Sequence, residues 1–84
     1  MNIQQDELDD FYDAIRRNGF RTSDFEISDE DESIQNPNGT YFLKIKVTVK
    51  RKSNNITKDY QGGHGTSWGV NFETDLQNGF FGSP

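Results

Sequence analysis

The segment DYQGGHGTSWG, residues 59–69, concentrates the residue types that could carry chemistry in this chain. It contains four glycines together with the only histidine, His64, and the only tryptophan, Trp68. Such a segment suits three different purposes: a phosphate-binding loop, a catalytic histidine, or a sharp turn of the backbone beside a buried ring. The spacing of the neighbouring residues discriminates among them.

A phosphate-binding loop requires glycines at fixed offsets before a helix, completed by a lysine in a P-loop or by a third glycine in a dinucleotide site. Here Gly63 and Gly65 are followed at the third offset by Trp68, and no Gly-Lys-Ser or Gly-Lys-Thr sequence occurs. The segment does lead towards a predicted helix, so an anion site stays open as an alternative. The spacing argues against it.

His64 has a side chain that titrates near neutral pH, and Asp59 and Ser67 lie close to it in sequence. It stands among glycines, which provide no rigid support, and no second basic group accompanies it. We therefore expect no enzymatic activity. The glycines are better explained by the backbone freedom that delivers Trp68 to the core.

The residues that commonly bind metal ions are missing or wrongly spaced. The chain contains no cysteine, which excludes disulfides, thiolate metal sites and a cysteine nucleophile. An EF-hand loop beginning at Asp29 would need glycine at its sixth position and glutamate at its twelfth. Those positions hold Ile34 and Thr40. The sequence therefore predicts no metal ion and no cofactor.

Length and composition indicate one small domain spanning residues 1–84. Apolar residues make up 30% of the chain, so its seven Phe, three Tyr and one Trp must provide most of the core volume. The N-terminal residues MNIQQDELDD are polar and acidic, unlike a signal peptide, and the most apolar segment alternates with lysine. We therefore expect a cytoplasmic protein that makes no membrane contact.

The net charge of −5 is unevenly distributed along the chain. Residues 1–33 hold eleven acidic residues and three arginines, a net charge of −8. Residues 34–84 hold six basic and three acidic residues, a net charge of +3. An acidic half of this kind disfavours nucleic acid and attracts basic protein surfaces.

A helix is predicted near the N-terminus. Asp6 is a suitable N-cap, and Gly19 can end the helix in the left-handed conformation. The apolar side chains recur at the spacing of one helical face: Leu8, Phe11, Tyr12 and Ile15. The opposite face carries an acidic stripe whose members are also three and four residues apart: Asp6, Asp9, Asp10 and Asp13.

Three strands are predicted in the middle of the chain. Phe25 and Ile27 alternate with polar residues in the first, and the acidic run that follows, SDEDES, is predicted to be an exposed loop. The second, TYFLKIKVTVKRK, directs five apolar side chains to one face: Tyr41, Leu43, Ile45, Val47 and Val49. Asparagine in the SNN turn tolerates positive φ, so ITKDYQ can return as the third strand.

The last third has the patterns of both a helix and a strand, because Trp68 and Val70 also alternate. We favour a helix over residues 67–78, ended by Gly79, since three aromatic or aliphatic residues recur every four positions: Trp68, Phe72 and Leu76. The segment GFFGSP is expected to fold its phenylalanines onto the core and to leave a frayed end. The predicted class is α+β, a helix, a three-stranded antiparallel sheet and a second helix (αβββα).

The lysines of the predicted hairpin offer a second candidate surface: Lys44, Lys46, Lys50, Lys52 and Lys58. Such a lysine face can follow a phosphate backbone, with Phe42 as a stacking platform for bases. The acidic half of the chain would repel the same ligand. We therefore favour an ordinary solvated face and expect no direct nucleic-acid binding.

The last quarter of the chain resembles small proteins of phages and mobile elements. The likeness is carried by nine residues: Tyr60, Gly63, Gly65, Trp68, Phe72, Asp75, Leu76, Gly79 and Phe80. Compact acidic proteins of this kind include anti-CRISPR and anti-restriction inhibitors, which bind a nucleic-acid enzyme without performing chemistry. The resemblance implies an inhibitor and carries over no functional residues, because those inhibitors share no common motif.

The leading hypothesis is an acidic interaction protein that covers a basic, nucleic-acid-binding surface of a partner protein. Its candidate contact residues are the acids of the helix stripe and of the following loop: Asp6, Asp9, Asp10, Asp13, Asp29, Glu30, Asp31 and Glu32. The alternatives are a nucleic-acid-binding regulator that uses the lysine face and a structural accessory protein. Self-association is also open, because an exposed strand can pair with a copy of itself.

Overall fold

The computed structural model describes residues 3–32, 34–35, 37–39, 41–42, 44–63 and 68–84. It confirms the α+β class and the order of a helix, a three-stranded antiparallel sheet and a second helix. The elements are α1 (Gln5–Arg17), a 3₁₀ turn (Thr22–Asp24), β1 (Phe25–Asp31), β2 (Ile34–Gln35), β3 (Tyr41–Phe42), β4 (Lys44–Arg51), β5 (Thr57–Gly63) and α2 (Trp68–Gln77). The short strands β2 and β3 pair with each other and form a separate two-stranded extension.

The N-cap of α1 lies two residues before the predicted one, Asp6. Gln4 is the N-cap and forms a capping box with Glu7, each side chain bonding to the backbone of the other residue. Asp6 is therefore not the cap; it lies in the first turn, where its charge suits the helix dipole. The helix ends as predicted, with Asn18 as the C-cap and Gly19 at a φ of +82°.

The sheet has the order β1-β4-β5, so β4 is its central strand. The predicted alternation along β4 is confirmed, since Ile45, Val47 and Val49 are buried and the residues between them are not. Asn55 takes a φ of 61° in the turn from β4 to β5, as its position in the predicted hairpin requires. Both helices pack on the face of the sheet that bears these buried side chains. Neither helix covers the other face, which is called the open face below.

β1 is longer than the predicted first strand, because it absorbs most of the acidic run. It pairs with β4 from Phe25, opposite Arg51, to Asp31, opposite Ile45. The acidic residues predicted to form an exposed loop are thus in a strand as far as Asp31. The prediction was wrong here because acidic residues disfavour strands on average, whereas cross-strand partners on β4 stabilise this one.

α2 confirms the predicted helical face, with Trp68, Phe72 and Leu76 buried. Its predicted cap, at residues 66–67, lies outside the described residues. Phe72 lies at the centre of an aromatic cluster, its ring centroid 4.7 Å from that of Phe11 and 5.6 Å from that of Phe81. Such tilted and edge-on contacts favour a well-defined core in so small a domain.

The C-terminal tail is held against the hairpin turn and is not frayed. Arg51 and Asn54 each donate a hydrogen bond to the carbonyl oxygen of Phe81 at 2.8 Å. Phe81 is buried as predicted, whereas Phe80 is 42% exposed, so one of the two phenylalanines packs into the core. Within the described ranges, neither helix has the length and apolar content needed to cross a membrane.

Candidate functional site

The acidic stripe of α1 lies on the surface, and three of its four aspartates are exposed: Asp6, Asp9 and Asp10. Asp13 is half-buried and forms an ion pair with Arg16. Asp9 accepts a hydrogen bond from a glutamine one turn earlier, at 3.0 Å. Asp6 and Asp10 make no hydrogen bond or ion pair with any residue that the structure describes. Of the four aspartates of the α1 stripe, only Asp13 therefore faces a cation among the described residues.

The acids of the predicted loop lie elsewhere, in β1 or directly after it: Asp29, Glu30, Asp31 and Glu32. The strand register places Glu30 opposite Lys46 on the open face of the sheet. Glu32 forms an ion pair with Lys44 at an N–O distance of 4.0 Å. The other two acids are directed to the face that bears the helices, because side chains alternate along a strand. The predicted continuous acidic pole is thus divided between two elements.

The open face of the sheet carries both charges, although the sequence suggested a lysine face. Three lysines lie on it: Lys44, Lys46 and Lys50. Glu26 is opposite Lys50 in the register, and Asp59 lies 3.7 Å from the Nζ atom of Lys46. Lys58, assigned to the same face by the sequence, points to the helix side and reaches α2. The lysines therefore face carboxylates of the neighbouring strands.

A groove of about 400 Å³ runs between α1 and α2, beside the acidic stripe. Glu7, Asp10 and Ala14 line it from α1, and Trp68, Gly69 and Val70 line it from α2. Val70 is 66% exposed and contributes apolar surface to the α2 side of the groove. A Cβ atom added to Gly69 would meet nothing within 4 Å, so the groove is open at this point. Its floor is apolar and its α1 rim is acidic.

One end of the groove is closed by an ion pair between the helices. The guanidinium of Arg17 donates to Glu73 through Nε at 3.2 Å and through Nη2 at 2.9 and 3.1 Å. Asn18 adds a hydrogen bond to the same carboxylate at 3.1 Å. This fork is the strong bidentate geometry of arginine and carboxylate. Arg17 is therefore committed to Glu73 and does not neutralise the acids on the α1 rim.

The residues that shape the groove were not predicted from the sequence. Glu7 was counted only in the charge balance, and Arg17 and Glu73 were not connected. The local signal was that Gly69 and Glu73 are four residues apart on α2 and therefore share a face. Which residues of α1 they meet depends on how the helices pack, and that is absent from the spacing of either helix alone.

A second cluster of polar groups joins β5 to α2. The Oδ2 atom of Asp75 accepts hydrogen bonds from Lys58 Nζ at 2.7 Å and from the Tyr60 hydroxyl at 2.6 Å. Partial burial pushes the pKa of Asp75 upward, but these two hydrogen bonds and the charge of Lys58 outweigh it, so the pKa lies below its usual value. Burial, together with the hydrogen bond to Asp75, raises the pKa of Tyr60 above its usual range. The three groups satisfy one another, as a structural network does.

Several predicted features fall outside the described residues. They comprise Leu43, His64, the residues up to Ser67, and the side chains of Tyr41 and Phe42. The expectation that His64 is not catalytic therefore stays a prediction. Within the described part of the chain, no group of three or more His, Asp or Glu residues converges to hold a metal ion.

The groove between α1 and α2 is thus bounded by an exposed acidic helix face, and both are suited to binding positively charged groups. No family model, curated protein or solved structure matches the chain. The likeness of residues 60–80 to small phage proteins therefore stays a prediction.

Proposed function

We propose that this protein is an acidic interaction module that covers a basic, nucleic-acid-binding surface of a partner protein and thereby excludes the nucleic acid. The contact surface is the acidic face of α1, formed by Asp6, Asp9, Asp10 and Asp13. The observation that supports it is the contrast between two groups of acids. On the open face of the sheet Glu30 and Glu32 face lysines, whereas Asp6 and Asp10 face no cation among the described residues.

Charge spacing supports the same proposal. Residues three or four positions apart on a helix have Cβ atoms about 5–6 Å apart, so the aspartates form a compact row. Phosphates recur about every 3.4 Å along one nucleic-acid strand. A basic surface that binds phosphates would therefore find on α1 a row of negative charges that are also a few ångströms apart. Like charges at this spacing destabilise an isolated helix slightly. A surface that is retained at a cost to stability is a reasonable place for a partner.

The inhibitory role, of the anti-CRISPR or anti-restriction type, rests on the likeness of the last quarter of the chain to small phage proteins. The alternative of direct nucleic-acid binding loses support, because Lys44, Lys46 and Lys50 lie among carboxylates. A purely structural accessory role would not explain why Asp6 and Asp10 are exposed and face no cation among the described residues. We therefore retain the interaction module.

The test is affinity capture from extracts of the source organism with three versions of the immobilised chain. One is the wild type, one carries Asp6→Asn, Asp9→Asn and Asp10→Asn, and one carries three substitutions on the sheet: Glu26→Gln, Glu30→Gln and Glu32→Gln. The two variants lose the same charge from different surfaces. We expect the wild type and the sheet variant to capture the same protein, and the α1 variant to capture much less of it.

The captured protein is then purified and its nucleic-acid binding is measured with the chain added at increasing concentration. We expect competition, together with slower association and a flatter salt dependence for the α1 variant. Melting temperatures of all three chains provide the folding control. Equal capture by the wild type and the α1 variant would refute the proposal. If the chain leaves the partner's nucleic-acid binding unchanged, the proposed exclusion of nucleic acid is refuted.

A further inference from the structure

The groove between α1 and α2 has an arrangement that the charge of α1 alone does not explain. Ala14 and Trp68, both buried, lie at its base, Val70 is exposed on its α2 side, and Glu7 and Asp10 lie on its α1 side. A purely electrostatic surface needs no recess, and an ordinary helix–helix contact would be filled by side chains. An apolar floor below an acidic rim instead matches a side chain that has an aliphatic stem and a cationic head.

The charges around the groove are asymmetric because Arg17 is held by Glu73. Three donor–acceptor contacts of 2.9–3.2 Å bind the guanidinium, and Asn18 binds the same carboxylate. Glu7 accepts a hydrogen bond of 3.4 Å from the backbone of the N-cap residue, and Asp10 accepts none from the described residues. The rim is therefore left with acceptor capacity for a cation from outside.

We propose that this groove receives an arginine side chain of the basic partner, with Asp10 as the principal acceptor and Glu7 as the second. This inference rests on the proposed function and assigns its specificity to one recess. Arginine fits better than lysine because its guanidinium is weakly hydrated, so it enters a partly enclosed site more readily. Its planar fork also bonds two carboxylates at once. Val70 and Ala14 cover the aliphatic stem.

Gly69 lines the groove, and a Cβ atom added to it would meet nothing within 4 Å. A larger residue at this position would therefore occupy part of the groove without a change in charge. The substitution Gly69→Leu separates occupation of the groove from electrostatic attraction to α1.

The experiment uses Trp68, the only tryptophan of the chain, as a fluorescent reporter in the floor of the groove. The full chain is titrated with a blocked peptide of three arginines and, separately, with the matching peptide of three lysines. We expect a saturable change in Trp68 emission, with tighter binding of the arginine peptide. Asp10→Asn should weaken it about tenfold, the effect of losing one charge-assisted hydrogen bond.

Gly69→Leu should abolish the saturable response while the melting temperature holds or rises, because leucine favours a helix more than glycine does. Glu26→Gln, on the open face of the sheet, is the charge-matched control and should bind as the wild type does. Equal weakening by Asp6→Asn and Asp10→Asn, with no effect of Gly69→Leu, would overturn the groove and leave the α1 surface intact. The absence of a saturable response to either peptide would also overturn it. The capture experiment above tests separately whether the α1 surface binds the partner.

Discussion

At the scale of single residues, Arg51 connects three separate parts of the chain. Its Nε–H group donates to Asp24 at 2.8 Å, and its Nη1 atom donates to the carbonyl oxygens of Phe81 and Ser83 at 2.8 and 2.6 Å. Its guanidinium also lies 4.9 Å from the centroid of the Phe20 ring. The side chain is 12% exposed, so water competes weakly for these bonds. Together with Asn54, this arginine holds the C-terminal tail against the end of the sheet.

Replacing Arg51 by lysine should reveal how much of this depends on the shape of the guanidinium. Lysine keeps the charge but cannot bond Asp24 and two carbonyl groups in one plane. We expect Arg51→Lys to reduce the free energy of unfolding by about 2 kcal/mol, the usual range for charged hydrogen bonds. Urea denaturation measures it. Lys52→Gln, an exposed change in the adjacent turn, serves as the control and should be nearly neutral; an equal loss there would contradict the role assigned to Arg51.

At the scale of elements, Asp75 joins α2 to the edge strand β5. It accepts hydrogen bonds from Lys58 and from the Tyr60 hydroxyl, and the Lys58 ammonium also lies 4.8 Å from the Phe80 ring centroid. A helix that packs on a sheet through aromatic rings alone could slide along it. The directional bonds of Asp75 set its position, and this explains why a mostly apolar contact contains a charged pair.

This joint predicts a loss of stability in acid. The folded-state pKa of Asp75 lies below its usual 3.8, so its stabilising effect is complete above that value and is lost as the pH falls through the lower folded pKa. We expect Asp75→Asn to cost about 1 kcal/mol at neutral pH and to flatten the dependence of stability on pH in acid. Urea denaturation over a pH series measures both.

The pKa of Asp24 is also lowered, first by its hydrogen bond from Arg51 and then by that from Ser53, so it contributes in the same acidic window. Adding Asp24→Asn to Asp75→Asn should therefore flatten the pH dependence further than either change alone. An unchanged pH dependence in the double variant would show that other carboxylates control acid unfolding.

At the scale of the whole molecule, the charges are divided between two surfaces. The open face of the sheet pairs lysines with carboxylates on both neighbouring strands, through Glu30, Glu32 and Asp59. The acidic surface of α1 lies on the other side of the sheet. The net charge of −5 is thus the sum of a nearly balanced face and an acidic one. A partner would encounter two chemically different surfaces.

The balance on the sheet predicts how the protein behaves with nucleic acid. We expect the wild type to show no useful affinity for DNA or RNA at physiological salt. Removing three of the four carboxylates that face the lysines, with Glu26→Gln, Glu30→Gln and Asp59→Asn, should create weak binding that decreases steeply with salt. Anisotropy of a labelled oligonucleotide measures both chains. Salt-sensitive binding by the wild type in the micromolar range or tighter would restore the lysine face as a functional surface.

Much of the fold could be predicted because it depends on local periodicity. The spacing of Phe11 and Ile15, of Val47 and Val49, and of Trp68, Phe72 and Leu76 identified the buried faces of three elements. Gly19 and Gly79 were identified as helix ends for the same local reason, since positive φ suits glycine. The acidic run was misassigned because its strand character comes from pairing with β4, whose paired residues are fourteen or more positions away in sequence.

The sequence by itself determined the buried faces of α1, β4 and α2, which helix face is acidic and what total charge the molecule carries. Only the tertiary structure decided which charges meet. Register on β4 placed lysines opposite the strand acids, and packing of α1 on α2 tied Arg17 to Glu73 and left Asp10 at an open groove. The reason is physical: burial follows from the alternation of neighbours along one element, whereas the neutralisation of a charge depends on atoms within a few ångströms that distant segments supply.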